Sequence, residues 1–393
     1  MSCWAVTVIV LLGLTLAVTK GNLYEGHSLG DSCLPGRSCT LAFISDNPVL
    51  LRCPHAYFSG IYVSWQYLDP AWANELPVTF LHSGGPNWPL LSHAKLQRLR
   101  FKSQLVAGNL YISSPSAEDS GLYICRVGDA TVAYYHVDFQ DPGKMYVSHA
   151  DLGATTLGNT SAELENGAQA ELFTSWSPWQ SCDHCGSSGE RKRVGFCYAQ
   201  VAEKDHPVEN PLPCGIVRKK FPMLPERGPE LRVETCQVPC DTLYLHDQAG
   251  PNVVPLLVFT AYHPQLKAVA HLRCPTSSIY SPVYWQEGPT TLTHLELLKK
   301  NSSQSLDKAT GGGILRLSFQ NNSHSAFYQC YVNGHLVGKF FVASPGAMPP
   351  PGERAHTYSI IEALIVGLSM FLVFLMFLGI IQSCRRKPGS TMV

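Results

Sequence analysis

The chain has 393 residues, and its 29 Lys and Arg balance 29 Asp and Glu, so the formal net charge at pH 7 is zero. This length is too great for one small domain and predicts two or three. The balance of charge gives no indication of a nucleic-acid partner, because such partners are bound through an excess of positive charge.

Two apolar runs lie near the ends of the chain. The run within residues 1–19 is too short to cross a bilayer and ends in small residues, which is typical of a secretory signal peptide; an uncleaved anchor is the alternative. Residues 363–381 carry no charge and predict a transmembrane helix over 361–381. Arg385 and two further basic residues follow, which places the tail, 382–393, in the cytosol. We therefore expect a single-pass type I protein, most simply of the plasma membrane, with its N-terminus outside.

The chain contains 14 cysteines, and their distribution is consistent with this topology. Cys3 lies in the predicted signal and Cys384 on the predicted cytosolic side. The other cysteines form an even set in an oxidising compartment. That set predicts disulfides rather than reactive or metal-binding thiols.

The first module is indicated by a pair of cysteines on strands. Tyr123 stands two residues before Cys125, so both side chains point to one face of a strand and Cys125 needs a partner on a facing sheet. Cys53 is the candidate, since Val49, Leu51 and Cys53 fall on alternate positions of a predicted strand and would all face inward. Trp65 follows and is placed to pack its indole against this bridge.

These residues and the motif Asp119-x-Gly121 resemble the V-type domain of the immunoglobulin superfamily. The resemblance implies an antiparallel β-sandwich over 22–140 with that bridge at its centre. It also implies a salt bridge between Arg100 and Asp119, with two solvated surface charges as the alternative. The hairpin after the second cysteine is short, so we expect recognition through a sheet face rather than through a projecting loop.

Another cysteine pair lies upstream of this sandwich. Cys33 and Cys39 flank a Pro-Gly turn. A local bridge between them is the simplest pairing, and an interchain bond to a partner is the alternative.

The segment after the first sandwich becomes small and polar. Residues 141–172 lack clear periodicity, which predicts a flexible linker. Asn159 begins a glycosylation sequon there, and further sequons begin at Asn301 and Asn321.

A sharp change of composition indicates a disulfide-rich module over 173–241. It opens with Trp176-Ser-Pro-Trp179 and contains six cysteines, which allow 15 connectivities. The pattern resembles a thrombospondin type 1 repeat, a thin three-stranded ribbon held by stacked Trp and Arg side chains and by disulfides. The resemblance implies the bridges Cys182–Cys236, Cys185–Cys240 and Cys197–Cys214. An unrelated disulfide-rich connector is the alternative.

The basic residues of this module have two interpretations. Arg193, with Arg191, is the expected cation of the Trp stack, because Gly195 stands where the family has a second stacking Arg. Clustered cations also predict binding of a sulfated glycan, with a solvated face as the alternative. The candidate polyanion patch comprises Arg191, Lys192, Arg193, Arg218, Lys219 and Lys220.

The third module is indicated by an internal repeat. Leu272-Arg-Cys274-Pro and Val283-Tyr-Trp285-Gln repeat the sequences around the first cysteine and the tryptophan of the first sandwich. Tyr328 again precedes its cysteine, Cys330, by two residues. The repeat predicts a second immunoglobulin-like domain over 242–344 with a Cys274–Cys330 bridge, smaller than the first because its cysteines are closer in sequence.

Two features near the C-terminus concern attachment and assembly. Residues 345–358 are rich in proline and predict a stiff stalk. Ala363 and Gly367 form a small-residue pair of the kind that lets two helices approach, which suggests a homodimer.

The predicted fold class is all-β: two immunoglobulin-like sandwiches flank a thrombospondin-like module, and one transmembrane helix follows. No nucleophile elbow, metal-binding helix or phosphate loop is present in the sequence, so we expect neither an enzyme nor a cofactor. The order of modules resembles little-characterised single-pass proteins known only by their immunoglobulin-like V-type domain. Two functions stay open: recognition or adhesion through a protein ligand or co-receptor, and a structural or accessory subunit of a membrane receptor complex.

Overall fold

The computed structural model describes residues 38–56, 62–71, 76–84, 93–164, 167–202, 210–240, 258–262, 269–299, 304–319, 325–343 and 364–378. Contacts divide the chain into two units. One spans residues 24–345 and holds the β-strands, and the other contains a helix at residues 364–378.

The first module is a sandwich of two sheets. Its elements are β1 (Ser38–Ile44), β2 (Val49–Leu51), β3 (Val63–Leu68), β4 (Val78–His82), α1 (Ala94–Phe101), β5 (Ser103–Val106), β6 (Asn109–Ile112), β7 (Gly121–Val127) and β8 (Ala130–Gln140). One sheet has the order β1-β8-β7-β3-β4 and the other the order β2-β6-β5. The Cys53–Cys125 disulfide has the expected partners.

Large aromatic side chains fill the core of this sandwich because alternate residues of each strand face inward. Trp65, Tyr67 and Tyr123 are fully buried. The indole nitrogen of Trp65 donates to the carbonyl of Gly108 at 3.0 Å, and the Tyr123 hydroxyl donates to the carbonyl of Asp119 at 2.7 Å. These bonds pair the polar ends of two buried rings, which would otherwise carry a desolvation cost.

The predicted salt bridge between Arg100 and Asp119 is wrong. The Asp119 carboxylate instead accepts a hydrogen bond from Lys102 Nζ at 2.6 Å, and from the backbone nitrogen and hydroxyl of Ser116. Arg100 lies in α1, because the chain before β5 is helical rather than extended. Lys102 follows the last turn of that helix and is the cation that reaches the corner.

The middle module is built on one long sheet. Its elements are β9 (Tyr146–His149), β10 (Thr160–Glu163), β11 (Gln169–Trp176), β12 (Ser188–Ala202), β13 (Leu212–Pro213), α2 (Cys214–Lys220) and β14 (Glu230–Gln237). The order is β10-β11-β12-β14-β9, with β13 paired to β12. Its disulfides are Cys182–Cys236, Cys185–Cys240 and Cys197–Cys214, the pairs that the resemblance implies.

The prediction of a flexible linker over 141–172 is wrong. Within it, β9 pairs parallel with β14 and β10 pairs antiparallel with β11. The segment therefore supplies strands to the sheet of the middle module. Polar strands at a sheet edge bury few apolar side chains, which is why this segment shows no apolar periodicity in the sequence.

The third module is a second sandwich. Its elements are β15 (Val258–Tyr262), β16 (Val269–Arg273), β17 (Val283–Glu287), β18 (Thr290–Leu292), α3 (His294–Lys299), β19 (Gln304–Leu306), β20 (Ile314–Ser318), β21 (Ala326–Val332) and β22 (His335–Val342). Its sheets have the orders β15-β22-β21-β17-β18 and β16-β20-β19. Cys274 is bonded to Cys330, and Trp285 is fully buried beneath the sheet.

The three modules pack against one another. One apolar cluster contains Phe43 of the first module, Val194 of the middle module and Ile279 of the third. The side chain of Asn47 also joins the first and third modules, since it donates to the carbonyl of Ala309 at 2.9 Å and accepts from the backbone nitrogen of Ile279 at 2.8 Å. Shared contacts of this kind make the three modules one compact unit.

Several predictions fall on residues that the structure does not describe. They are the signal at 1–19, Cys33, Asn301, Asn321, the stalk at 345–358, Ala363 and the tail at 382–393. Cys39 is disulfide-bonded. Within the predicted span, 361–381, residues 364–378 are helical and the ends lie outside the described residues. Among the residues described, no helix is both long and apolar enough to cross a membrane.

Candidate recognition surfaces

The outer face of the five-stranded sheet in the first module is the predicted recognition face. Strand register places two rows of side chains across it: Gln66, Ile124 and Tyr134, and then Leu68, Leu122 and His136. Ile124 is buried, and the other five side chains are partly exposed. Burial lowers the pKa of His136, so its imidazole is neutral at physiological pH. The face therefore combines apolar, amide and aromatic groups.

One end of this face is covered by the middle module. Asp138 is only 2% exposed and accepts a hydrogen bond from the backbone nitrogen of Gly215 in α2, at 3.0 Å. The amide of Gln140 exchanges two hydrogen bonds with the backbone of Cys197, each 2.9 Å long. Burial raises the pKa of the Asp138 carboxyl. The face that the sequence predicts is therefore shorter in the folded protein.

Lys219 of α2 makes a second contact with the first module. Its ammonium donates to Asp69 Oδ1 at 2.9 Å and to the carbonyl of Ser120 at 2.6 Å. Lys95 bonds the other oxygen of Asp69. Burial alone would raise the pKa of Asp69, but hydrogen bonds from Lys95, a backbone nitrogen and Lys219 lower it to about 2. Asp69 thus stays ionised at physiological pH and holds two lysines.

The expected Trp and Arg stack is present in the middle module. The guanidinium carbon of Arg193 lies 4.5 Å from the ring centre of Trp176 and 4.6 Å from that of Trp179. Arg191 lies 5.1 Å from the ring centre of Trp179. A Cβ on Gly195 would lie 2.9 Å from the Trp176 ring, so the absent side chain leaves room for that indole.

Three further cations of the candidate polyanion patch, Lys192, Arg218 and Lys219, also make contacts within the protein. Lys192 is buried and donates to the carbonyl of Gly311 in the third module at 2.5 Å. Arg218 donates to the carbonyl of Pro225 at 3.1 Å. Because Lys219 binds the first module and Lys192 the third, the structure does not bring the six basic residues together as one exposed patch.

A buried carboxylate joins the middle and third modules. Glu190 accepts hydrogen bonds from the imidazoles of His149 and His294, at 3.2 and 2.9 Å. It also accepts bonds from the backbone nitrogens of His294 and Leu295 in the first turn of α3, both at 2.8 Å. Burial alone would raise the pKa of Glu190, but these donors hold it well below its usual range. The carboxylate is therefore ionised at the junction.

Lys192 lies at the same junction. Burial lowers the pKa of its ammonium to about 7, even though Asp183 and Glu190 act to raise it. Among the described residues, no group of three or more His, Cys, Asp or Glu is placed to hold a metal ion.

The outer face of the larger sheet in the third module carries exposed aromatic side chains. Phe259 and Phe327 are 68% and 64% exposed. The ring of Phe327 lies 4.8 Å from that of Phe341, and Lys339 lies 6.0 Å from the centre of the Phe259 ring. Aromatic groups with few charges are typical of the centre of a protein interface.

Sequence reasoning missed both of these third-module features. The Glu190 junction has no signal, because its two histidines are far apart in sequence and on different modules. The aromatic face did have a signal in the sequence. If Tyr328 and Cys330 point inward, then Phe327 and Tyr331 must point outward, because side chains alternate along a strand. A large apolar residue at an outward position is the observation that could have found this surface.

Comparison with known proteins gives relatives of low identity that extend over most of the chain. No family model matches. The chain is similar to the Ig-like V-type domain-containing protein FAM187A of Bos taurus, 26% identical over 372 residues, which covers 87% of this chain and 86% of that protein. The Rattus norvegicus protein of the same name is 26% identical over 298 residues, covering 70% of each chain.

Solved structures match single domains. They include the ZIG-8–RIG-5 IG1–IG1 heterodimer, 14% identical over 28% of this chain and 89% of that chain, with a TM-score of 0.20. Another is the extracellular domain of the voltage-gated sodium channel β4 subunit, 20% identical over 29% of this chain and 92% of that chain, with a TM-score of 0.20. The two bridged sandwiches and the relatives of similar length together support an immunoglobulin-superfamily protein.

Proposed function

We propose that the chain is a single-pass type I cell-surface protein that recognises a protein ligand or co-receptor through the outer face of its first sandwich. The observation that carries the proposal is the row Gln66, Ile124 and Tyr134, with Arg126 beside it. This row lies on the part of the face that is farther from the covered end at Asp138. The predicted signal and span support the topology. The proposal also includes a thrombospondin type 1 identity for the middle module, supported by the Arg193 stack and by the disulfide pairs.

A sheet face fits protein recognition better than a loop does in this domain. Only Gly128 and Asp129 separate β7 from β8, so no long loop projects from that hairpin. Tyrosine and arginine are the residue types that most often supply binding energy at protein interfaces. Tyr134 and Arg126 lie on this face and are partly exposed.

The test displays the full chain on cells and measures adhesion to cells of the tissue that expresses it. Tyr134→Glu puts a charge on this face and should abolish adhesion. Phe327→Glu makes the same chemical change on the third module and should leave adhesion intact. Surface amounts are equalised with an antibody. Adhesion that survives Tyr134→Glu would sink the proposal.

The exposed aromatic face of the third module favours a second candidate, an accessory subunit of a membrane complex. Phe259 and Phe327 are exposed on the domain that precedes the predicted span. In that case Phe327→Glu should lower the surface amount of one co-purifying membrane protein, and Tyr134→Glu should not. The same two variants therefore separate the candidates.

A further inference from the structure

Among the described residues, the first strand of the third module lies at an open edge of its sheet. The sheet order β15-β22-β21-β17-β18 puts β15 at one end, and it runs parallel to β22. Its residues, Val258-Phe-Thr-Ala-Tyr262, include no charge and no proline, and all but the first are exposed. Natural proteins usually protect an exposed edge with charges, prolines, bulges or a very short strand. At the other end of this sheet, β18 has only three residues.

The equivalent strand of the first module is protected. There β1 also runs parallel to the last strand of its domain, and its final residues are buried. The backbone nitrogen of Ile44 donates to the hydroxyl of Tyr280 at 2.7 Å, so another module of the same chain satisfies that edge. The ring of Phe43 packs against Tyr280 as well. The same position in the two sandwiches is therefore covered in one and exposed in the other.

The direction of the backbone groups on β15 follows from one hydrogen bond. The carbonyl of Tyr262 accepts from the backbone nitrogen of Ala343, so Tyr262 directs its backbone groups toward β22. In a parallel pair, alternate residues point the same way. Thr260 therefore also faces β22, and the N–H and C=O groups of Phe259 and Ala261 point to the open edge.

We propose that β15 pairs antiparallel with β15 of a second copy of the chain, about a two-fold axis at Thr260. In this register Phe259 of one copy lies opposite Ala261 of the other, and both outward-facing residues of each strand form hydrogen-bonded pairs. This register also places the large side chain of Phe259 beside the small side chain of Ala261. Two uncharged edges meet without like-charge repulsion.

The pairing joins two sheets into one and extends the aromatic face across both copies. Lys339 lies one strand in from the edge, over the ring of Phe259, and does not face its counterpart across the axis. The interface uses a different domain from the proposed recognition face and needs no ligand. Its test can therefore fail without affecting that proposal.

Disulfide trapping in the full chain tests the register. Thr260→Cys places two cysteines at a non-hydrogen-bonded pair, where Cα atoms lie about 4.5 Å apart, within reach of a disulfide. Ala261→Cys is the matched control, because its two copies would be diagonal neighbours roughly 7–8 Å apart. Under mild oxidation, Thr260→Cys should give a covalent dimer of twice the chain mass, while wild type and Ala261→Cys should not.

A second pair of variants keeps the proposal falsifiable if a new cysteine disturbs folding. Ala261→Lys adds a charge to the proposed interface, and Thr290→Lys adds one to the exposed edge at β18. Energy transfer between two fluorescently tagged copies on cells should be lost with Ala261→Lys and kept with Thr290→Lys, at equal surface amounts. The proposal is overturned if Thr260→Cys stays monomeric, if it is trapped on a different protein, or if Ala261→Lys leaves energy transfer unchanged.

Discussion

Lys102 illustrates how a single cation can be misassigned from a family pattern. Asp119 is buried, and its carboxylate takes bonds from Lys102 and from two donors of Ser116. The resemblance correctly placed Asp119 at a charged corner of the sandwich. It assigned the wrong cation, Arg100. Because α1 is helical, Arg100 lies within the helix, and Lys102, which follows it, reaches the corner instead.

Lys102→Met should therefore destabilise the first module. The substitution leaves a buried carboxylate without its ionic partner, which costs about 2 kcal/mol of unfolding free energy. Chemical denaturation of the purified chain measures this loss. Arg98→Met, at an ion pair whose two side chains are both largely exposed, should cost less, and a larger effect from Arg98→Met than from Lys102→Met would contradict this prediction.

Lys192 predicts a pH dependence of stability. Burial lowers its pKa from 10.5 to about 7 in the folded chain. Between these two values the unfolded chain binds more protons than the folded chain does, so stability should rise with pH from about 7 toward 10.5. The slope for one proton is at most about 1.4 kcal/mol per pH unit.

The comparison of Lys192→Met with wild type isolates this slope. Titration of the tyrosines adds a separate pH dependence near pH 10 that is common to both proteins, so thermal unfolding should be compared between pH 7 and 9.5. Lys192→Met should flatten the rise, and Lys220→Met, an exposed lysine of the same module, should retain it. An unchanged slope in Lys192→Met would show that Lys192 is charged in the folded chain.

At the scale of elements, α2 determines how much of the first sheet is accessible. Its first turn lies against Asp138 through Gly215, and a Cβ at Gly215 would lie 2.0 Å from a carboxylate oxygen of Asp138. A side chain at this position would displace either the buried Asp138 carboxylate or the helix. The accessible size of the proposed recognition face is therefore linked to the docking of α2.

Gly215→Ala should loosen α2 from the sheet. We expect faster hydrogen exchange in β8 and a loss of stability of about 1–3 kcal/mol, the usual cost of forcing atoms into a packed site. Gly158→Ala is the control, since a Cβ at Gly158 would meet nothing within 4 Å. Exchange rates in β8 that match wild type would mean that the helix is not held through this contact.

The sequence predicts strands and bridges well and the contacts between modules poorly. Cys53, Trp65 and Cys125 specify the first sandwich because strand alternation fixes which residues face inward. His149 and Glu190 gave no signal, because a junction depends on residues that approach only after separate modules have folded. The burial of Asp138 was not predicted for the same reason. A polar residue that points outward from a strand is normally exposed to solvent, and here a separate module covers it.

At the scale of the whole molecule, the three β-rich modules form one compact body. Glu190 lies on β12, receives a bond from His149 on β9, and takes both backbone bonds from the first turn of α3. Together with the bonds of Asn47 and of Tyr280, these contacts fix the third module to the other two. Recognition by the first module and pairing by the third would then share one rigid frame.

Glu190→Ala should uncouple the third module. It leaves the two nitrogens of the α3 first turn and two imidazoles without their acceptor in a buried site, and a broken buried network of this kind typically costs about 3–5 kcal/mol. Calorimetry should change from one cooperative unfolding transition to two.

The effect of Glu190→Ala should also persist in acid. Because its hydrogen-bond donors lower the pKa of Glu190 in the folded chain, the carboxylate stays ionised and contributes stability down to acid pH. The difference in stability between Glu190→Ala and wild type should therefore still be present at pH 5. Glu118→Ala, at an exposed ion pair, should keep a single transition; a single transition in Glu190→Ala as well would show that the other contacts suffice.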